Sequence, residues 1–95
     1  MDENTPKRKA LERLFKVALQ DSGQARRVAN FLLAWHNASE NCGWDITDLW
    51  GLDEAIVADV LSVVQLIGRT HAYADNLGFR EQMRAVWERW RGTQS

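Results

Sequence analysis

Ninety-five residues with one cysteine, 45% apolar and 26% charged side chains make one globular domain that can hold no internal disulfide. Such a chain can bury roughly 60–65% of its unfolded surface without staples; its composition excludes wholesale disorder, and its apolar stretches are too short and interrupted to span a bilayer. The net charge of −1 conceals segregation: residues 1–27 hold seven Lys/Arg against four acids, residues 69–95 five Arg against three, and residues 28–68 six acids with no Lys or Arg.

Thr5 before Pro6 reads as an N-cap with proline at the first helical position. Leu11, Leu14, Phe15 and Ala18 then recur at helical spacing and predict a first helix over about 6–20, with Lys7, Arg8, Lys9, Arg13 and Lys16 on its outer face. Asp21-Ser22-Gly23 breaks that helix and caps a second, about 23–38, whose buried stripe is Val28, Phe31, Leu32 and Trp35. Residues 37–43 are polar, end in glycine and predict a loop.

Asp45 is placed to cap a short helical turn running through Trp50, with Asp48 in its first turn and Gly51 ending it. Asp53 then restarts helix beside Glu54, both acids facing the positive end of the helix dipole. Residues 53–70 carry Ile56, Val57, Val60, Leu61, Val63, Val64, Leu66 and Ile67 over more than one stripe. That pattern predicts a central helix contacted on several sides. Asp75 or Asn76 would cap a last helix, about 77–91, lined inward by Phe79, Met83, Val86, Trp87 and Trp90, with Arg80, Arg84, Glu88 and Arg91 outward.

The fold class expected is therefore all-α: four main helices plus a short helical turn between the second and third, sequential neighbours packing antiparallel. A single domain spans residues 1–95, with 1–5 frayed and 92–95 a tail. No leader precedes the first helix signal, so a cytoplasmic location is expected.

Reactive chemistry finds little support. Cys42 sits among Glu40, Asp45 and Asp48, a field that raises a thiol pKa instead of lowering it. Counted from Asp45, Gly51 falls one place late for a calcium loop, and the twelfth position is Ile56, not glutamate. One cysteine with His36 and His71 lacks zinc spacing. We expect no enzyme activity, no metal and no cofactor.

Recognition is better supplied. Trp44 and Trp50 either fold back over the core or serve an interface, and the two readings can coexist if one anchors the loop and the other is presented within an acidic rim. Asp45, Asp48 and Asp53 would form that rim. The expected partner is another protein, with a basic surface such as that of a nucleic-acid-handling complex; oppositely charged faces also favour a homodimer. The alternative is a nucleic-acid-binding regulator using Lys7, Arg8, Lys9, Arg80 and Arg84 with nearby aromatics. A pI of about 6.1 is far from the basic footprint of such domains, and no helix–turn–helix of the usual length is evident.

The stretch from Asp21 to Trp35, DSGQARRVANFLLAW, together with Trp44-Asp45-Ile46-Thr47-Asp48-Leu49-Trp50 and the later Leu77-Gly78-Phe79, resembles a family of small uncharacterised proteins encoded on plasmids and integrative elements of proteobacteria. The resemblance covers about residues 10–91. It implies no catalytic residue. By analogy with accessory proteins of mobile elements, it implies a binder of a host or rival protein, such as an inhibitor of a bacterial defence system of the anti-CRISPR kind.

Overall fold

The computed structural model describes residues 5–41 and 43–92; Cys42, residues 1–4 and residues 93–95, and with them the expected frayed start and most of the tail, lie outside the described residues. Four α-helices follow in order: α1 (Thr5–Ala18), α2 (Gly23–Asn41), α3 (Glu54–Thr70) and α4 (Arg80–Trp90). A 3-10 helix, η1 (Ile46–Gly51), separates α2 from α3, and a second, η2 (Ala74–Leu77), precedes α4. The described residues contain no strand, in keeping with the all-α expectation.

The core is built on α1. Ala10, Leu11, Leu14, Phe15 and Ala18 are all buried, and α1 is the element that touches α2, α3 and α4. Ala10 and Ala18 carry little bulk, so neighbouring helices can approach closely around the Leu14 and Phe15 side chains. Each fully buried leucine or phenylalanine contributes about 1.5–3 kcal/mol relative to exposure.

This arrangement corrects the expectation for α3. Its inward stripe is Val60, Val63 and Leu66, packed along α1, whereas Leu61 and Val64 stay 50% and 44% exposed. The most apolar helix is peripheral because one partner, α1, covers only one of its stripes. Asp59 and Arg13 close that contact, with Arg13 Nε and Nη2 donating to the two carboxylate oxygens at 2.9 and 2.8 Å.

Bonds between helix ends fix the directions. Arg8 near the start of α1 donates to the Leu77 carbonyl (2.8 Å), and Trp90 at the end of α4 donates to the Ala18 carbonyl (2.7 Å), so α1 and α4 are parallel. Gln24 meets Asp53, just ahead of α3, and the Trp35 indole donates to the Ala72 carbonyl just past it (3.2 Å), so α2 and α3 point the same way, opposite to α1 and α4. The expected antiparallel pairing of α2 with α3 therefore fails. The segment between them runs back along α2 and starts α3 at the same end.

Local boundaries follow capping chemistry. Ser22 Oγ accepts the Ala25 N–H (3.0 Å), capping α2 as read from Asp21-Ser22-Gly23. The expected loop from residue 37 is instead a break at Asn37 (φ −166°, ψ 92°), after which helix resumes to Asn41. Asn37 Oδ1 accepts from the Glu40 N–H and Ser39 Oγ, recapping that last turn.

α4 begins three residues later than the sequence indicates, and neither Asp75 nor Asn76 caps it; both lie in η2, where Asn76 Oδ1 accepts the Tyr73 N–H. Gly78 then turns left-handed (φ 94°), which a side chain would penalise by about 1–2 kcal/mol. His71, the C-cap of α3, carries that same kind of penalty at φ 52°.

Candidate functional site

η1 is a small rigid unit. Asp45 Oδ1 accepts the Thr47 N–H (3.0 Å) and hydroxyl (2.7 Å), which starts the 3-10 turn as the sequence indicates. Trp44, just ahead of it, packs edge-on against Phe31 of α2, with ring centroids 5.0 Å apart and planes at 65°. Leu49 and Leu52 lean half-buried on the core from the other end.

Two α2 side chains complete the anchorage. The Arg27 guanidinium lies against Gly51 so closely that a Cβ there would fall 2.5 Å from Cζ, and its Nε stands 3.9 Å from Asp48 Oδ1. Gln24 grips Asp53 twice, accepting its backbone N–H (2.7 Å) and donating to its carboxylate (3.3 Å). Asp53 is thus the N-cap residue of α3 without a side-chain capping bond, its carboxylate being turned to Gln24.

Two large apolar side chains remain outward beside Asp45 and Thr47. Trp50 is 87% exposed and Ile46 67%, both on this pinned turn. The two tryptophans have divided the roles: Trp44 is the half-buried anchor and Trp50 the displayed ring. The Trp44 indole N–H is buried without a hydrogen-bond partner among the described residues.

The acidic rim is less free than its composition implied. Asp48 is half-buried and faces Arg27, and Asp53 is held by Gln24; Asp45, exposed, accepts from Thr47. Hydrogen bonds from the Thr47 hydroxyl and then its backbone N–H hold the Asp45 carboxyl below the ordinary carboxylate value. A depressed folded-state pKa gives stability that is present above the unfolded value of about 3.9 and lost as pH falls through the folded value. Acid titration by circular dichroism is therefore expected to show a shallower loss of stability below about pH 4 for Asp45→Asn than for the wild type.

The basic residues are partly consumed by the fold. Arg8, expected outward, lies over the Phe79 ring (5.3 Å to its centroid) while bonded to the Leu77 carbonyl. Arg89 donates twice to the Gln20 carbonyl and stacks on Trp90, and Arg91, also expected outward, is half-buried and donates to Asn30 Oδ1 (3.2 Å). Arg84 pairs with Glu88 along α4 (3.3 Å). Trp87 sits 41% exposed instead of inward.

Because α1 and α4 are parallel, Lys7 and Lys9 share one end of the bundle with Arg80 and Arg84. A groove of about 360 Å³ there is lined by Arg80, Arg84, Trp87 and His36, but also by Glu40 and Asp75. A cleft of about 410 Å³ at the opposite end mixes Arg26, Arg27 and Asn30 with Asp21, Asp48 and Trp90. Neither gathers a nucleophile with a base and its orienting partner. Among the described residues no three His, Cys, Asp or Glu side chains cluster to hold a metal, and no helix is long and apolar enough to cross a membrane.

Residues 8–91 match the sequence profile of a family of unknown function, DUF7673. The chain belongs to DUF7673. The match takes in all of α2, η1, α3, η2 and α4, so the Trp44–Trp50 turn and its anchors belong to the DUF7673 region. No curated protein and no solved structure matches the chain.

Sequence reasoning missed Arg27 and Gln24 as the residues that hold the turn. Their only local signal was a position near the start of α2, where nothing in the one-dimensional pattern says that a segment more than twenty residues later folds back on them.

Proposed function

We propose that this DUF7673 chain is a non-enzymatic protein-binding module that docks through η1. The observation that carries the reading is Trp50: a large aromatic almost wholly exposed on a turn fixed by Trp44, Arg27 and Gln24. Exposed tryptophan is costly in a free monomer, and a pre-positioned one loses little conformational entropy on binding. Trp50 would enter an apolar pocket, Ile46 would flank it, and Asp45 would meet a basic group at the rim. Such a partner surface fits a nucleic-acid-handling complex whose phosphate site is covered by the docked turn. The setting we infer is a proteobacterial mobile element, with the chain acting in the cytoplasm as an accessory protein against a host or rival complex, for example as a defence-system inhibitor of the anti-CRISPR type.

The test is paired affinity capture from a proteobacterial lysate with wild-type and Trp50→Ala baits. A protein retained by the first and lost by the second supports the reading; identical captures overturn it.

One observation favours a second reading, the nucleic-acid-binding regulator: the parallel α1 and α4 bring Lys7, Lys9 and Arg80 to one end, near the exposed Trp87. Salt-sensitive retardation of DNA or RNA in a gel shift, weakened by Lys9→Ala and Arg80→Ala, would move the assignment there.

A further inference from the structure

We propose that the solvent-facing flank of α3 is a self-complementary interface on which a second copy of this chain docks antiparallel. Val57, Leu61, Val64 and Gly68 recur at alternating spacings of four and three residues, the heptad seam of paired helices. They lie on a different side of the helix from the Val60, Val63 and Leu66 stripe that packs on α1. Leu61 and Val64 are among the large apolar side chains most open to solvent in the molecule, and nothing lies within 4 Å of a Cβ placed on Gly68. One step before the seam stands Glu54, and just past the end of α3 stands its C-cap His71, both exposed.

The occupant follows from the register. About a twofold axis passing between residues 62 and 63, Leu61 meets Val64 of the second copy, Val57 meets Gly68, and Glu54 meets His71. Every position finds a complement: leucine against valine, valine against the glycine, and a carboxylate against an imidazole. A parallel pairing would oppose Glu54 to Glu54 and Gly68 to Gly68, wasting both. Opposed helix dipoles favour the same orientation. Holding His71 in a left-handed C-cap, where glycine is less strained, also keeps an imidazole at the end of the seam.

The two-fold contact is isologous, as closed dimers require. Seventeen residues of α3 span about 25 Å, so one helix face buries less than the roughly 800 Å² per partner of a standard interface. The dimer is accordingly weak and concentration-dependent, with dissociation in the micromolar range.

Sedimentation equilibrium of the full chain over micromolar to millimolar concentration tests this. The expected mass rises from 10.9 kDa toward twice that value. Leu61→Glu, at an exposed position that leaves the circular dichroism unchanged, is expected to weaken association at least about thirty-fold. Trp50→Ala, on a different surface, is expected to leave it intact, which separates this interface from the η1 docking surface. A mixture of Val57→Cys and Gly68→Cys chains in a Cys42→Ser background should form an oxidative heterodimer. A single 10.9 kDa species at every concentration, a dimer that Leu61→Glu leaves intact, or cross-linking of each cysteine variant only to itself would overturn the proposal.

Discussion

Trp90→Ala is expected to destabilise the fold by about 3 kcal/mol, lowering the melting temperature by roughly 12–24 °C for a domain of this size. Trp90 packs half-buried on the core from the end of α4, and its indole donates to the Ala18 carbonyl at 2.7 Å. That carbonyl belongs to the last turn of α1, which has no intrahelical donor left to satisfy it. Beside it, Arg89 donates to the Gln20 carbonyl and places its cation at the negative end of the α1 dipole. Truncation removes the ring and its hydrogen bond together, at the helix that touches α2, α3 and α4. Trp90→Phe keeps most of the packing and loses only the bond, costing about 1 kcal/mol. Trp44→Phe supplies the contrast: its N–H has no partner to lose among the described residues, so the change is expected to be neutral or stabilising. Urea denaturation followed by circular dichroism measures all three, and equal losses for the two phenylalanine variants would show that hydrogen bonding does not distinguish these tryptophans.

Trp50→Ala is expected to leave that melting temperature unchanged, yet lower affinity for the captured partner at least about thirty-fold, or about 2 kcal/mol. Stability is insensitive because the ring touches little of its own fold: 87% of it faces solvent. Surface changes away from caps and cores usually stay within about 0.5 kcal/mol. Affinity is sensitive because a fixed aromatic at the centre of a contact contributes most of its binding energy, and neighbouring contacts chiefly exclude water. Ile46→Ala, at the flank, should cost less than Trp50→Ala, and Asp45→Asn should act mainly on association rate and salt dependence. Isothermal titration calorimetry reads the affinities directly. A Trp50→Ala chain that binds as tightly as the wild type would remove η1 from the interface.

Much of this geometry is legible in residue order. The stripe of Leu11, Leu14, Phe15 and Ala18 identified α1, Asp21-Ser22-Gly23 identified the start of α2, and Asp45 with Gly51 bracketed η1. Each is a local signal, because helix periodicity and capping act over three or four residues. The later start of α4 escaped notice since Gly78 has to be seen in its left-handed turn before η2 and α4 separate. Arg8 read as an outer-face cation because helical spacing says nothing about a carbonyl at residue 77.

The candidate site divides the same way. Its paired tryptophans and aspartates stood out from composition alone, and one anchoring ring with one displayed ring was among the arrangements that composition allowed. Which tryptophan did which depended on Phe31 lying where Trp44 could reach it. The free acidity of the rim likewise depended on Arg27, a residue counted with the basic flank until the chain folded back.

By itself, then, the sequence determined an all-helical domain, its four main helices, the caps at Ser22 and Asp45 and the absence of any recognisable reactive motif, because these depend on short-range periodicity and chemistry. Only the tertiary structure decided that α1 and not α3 is central, that Trp50 is the exposed ring, that Asp48 is met by an arginine, and that one flank of α3 remains uncovered. Those outcomes rest on which surfaces compete for the same neighbour. The most hydrophobic helix lost that competition because its partner could cover only one of its two stripes.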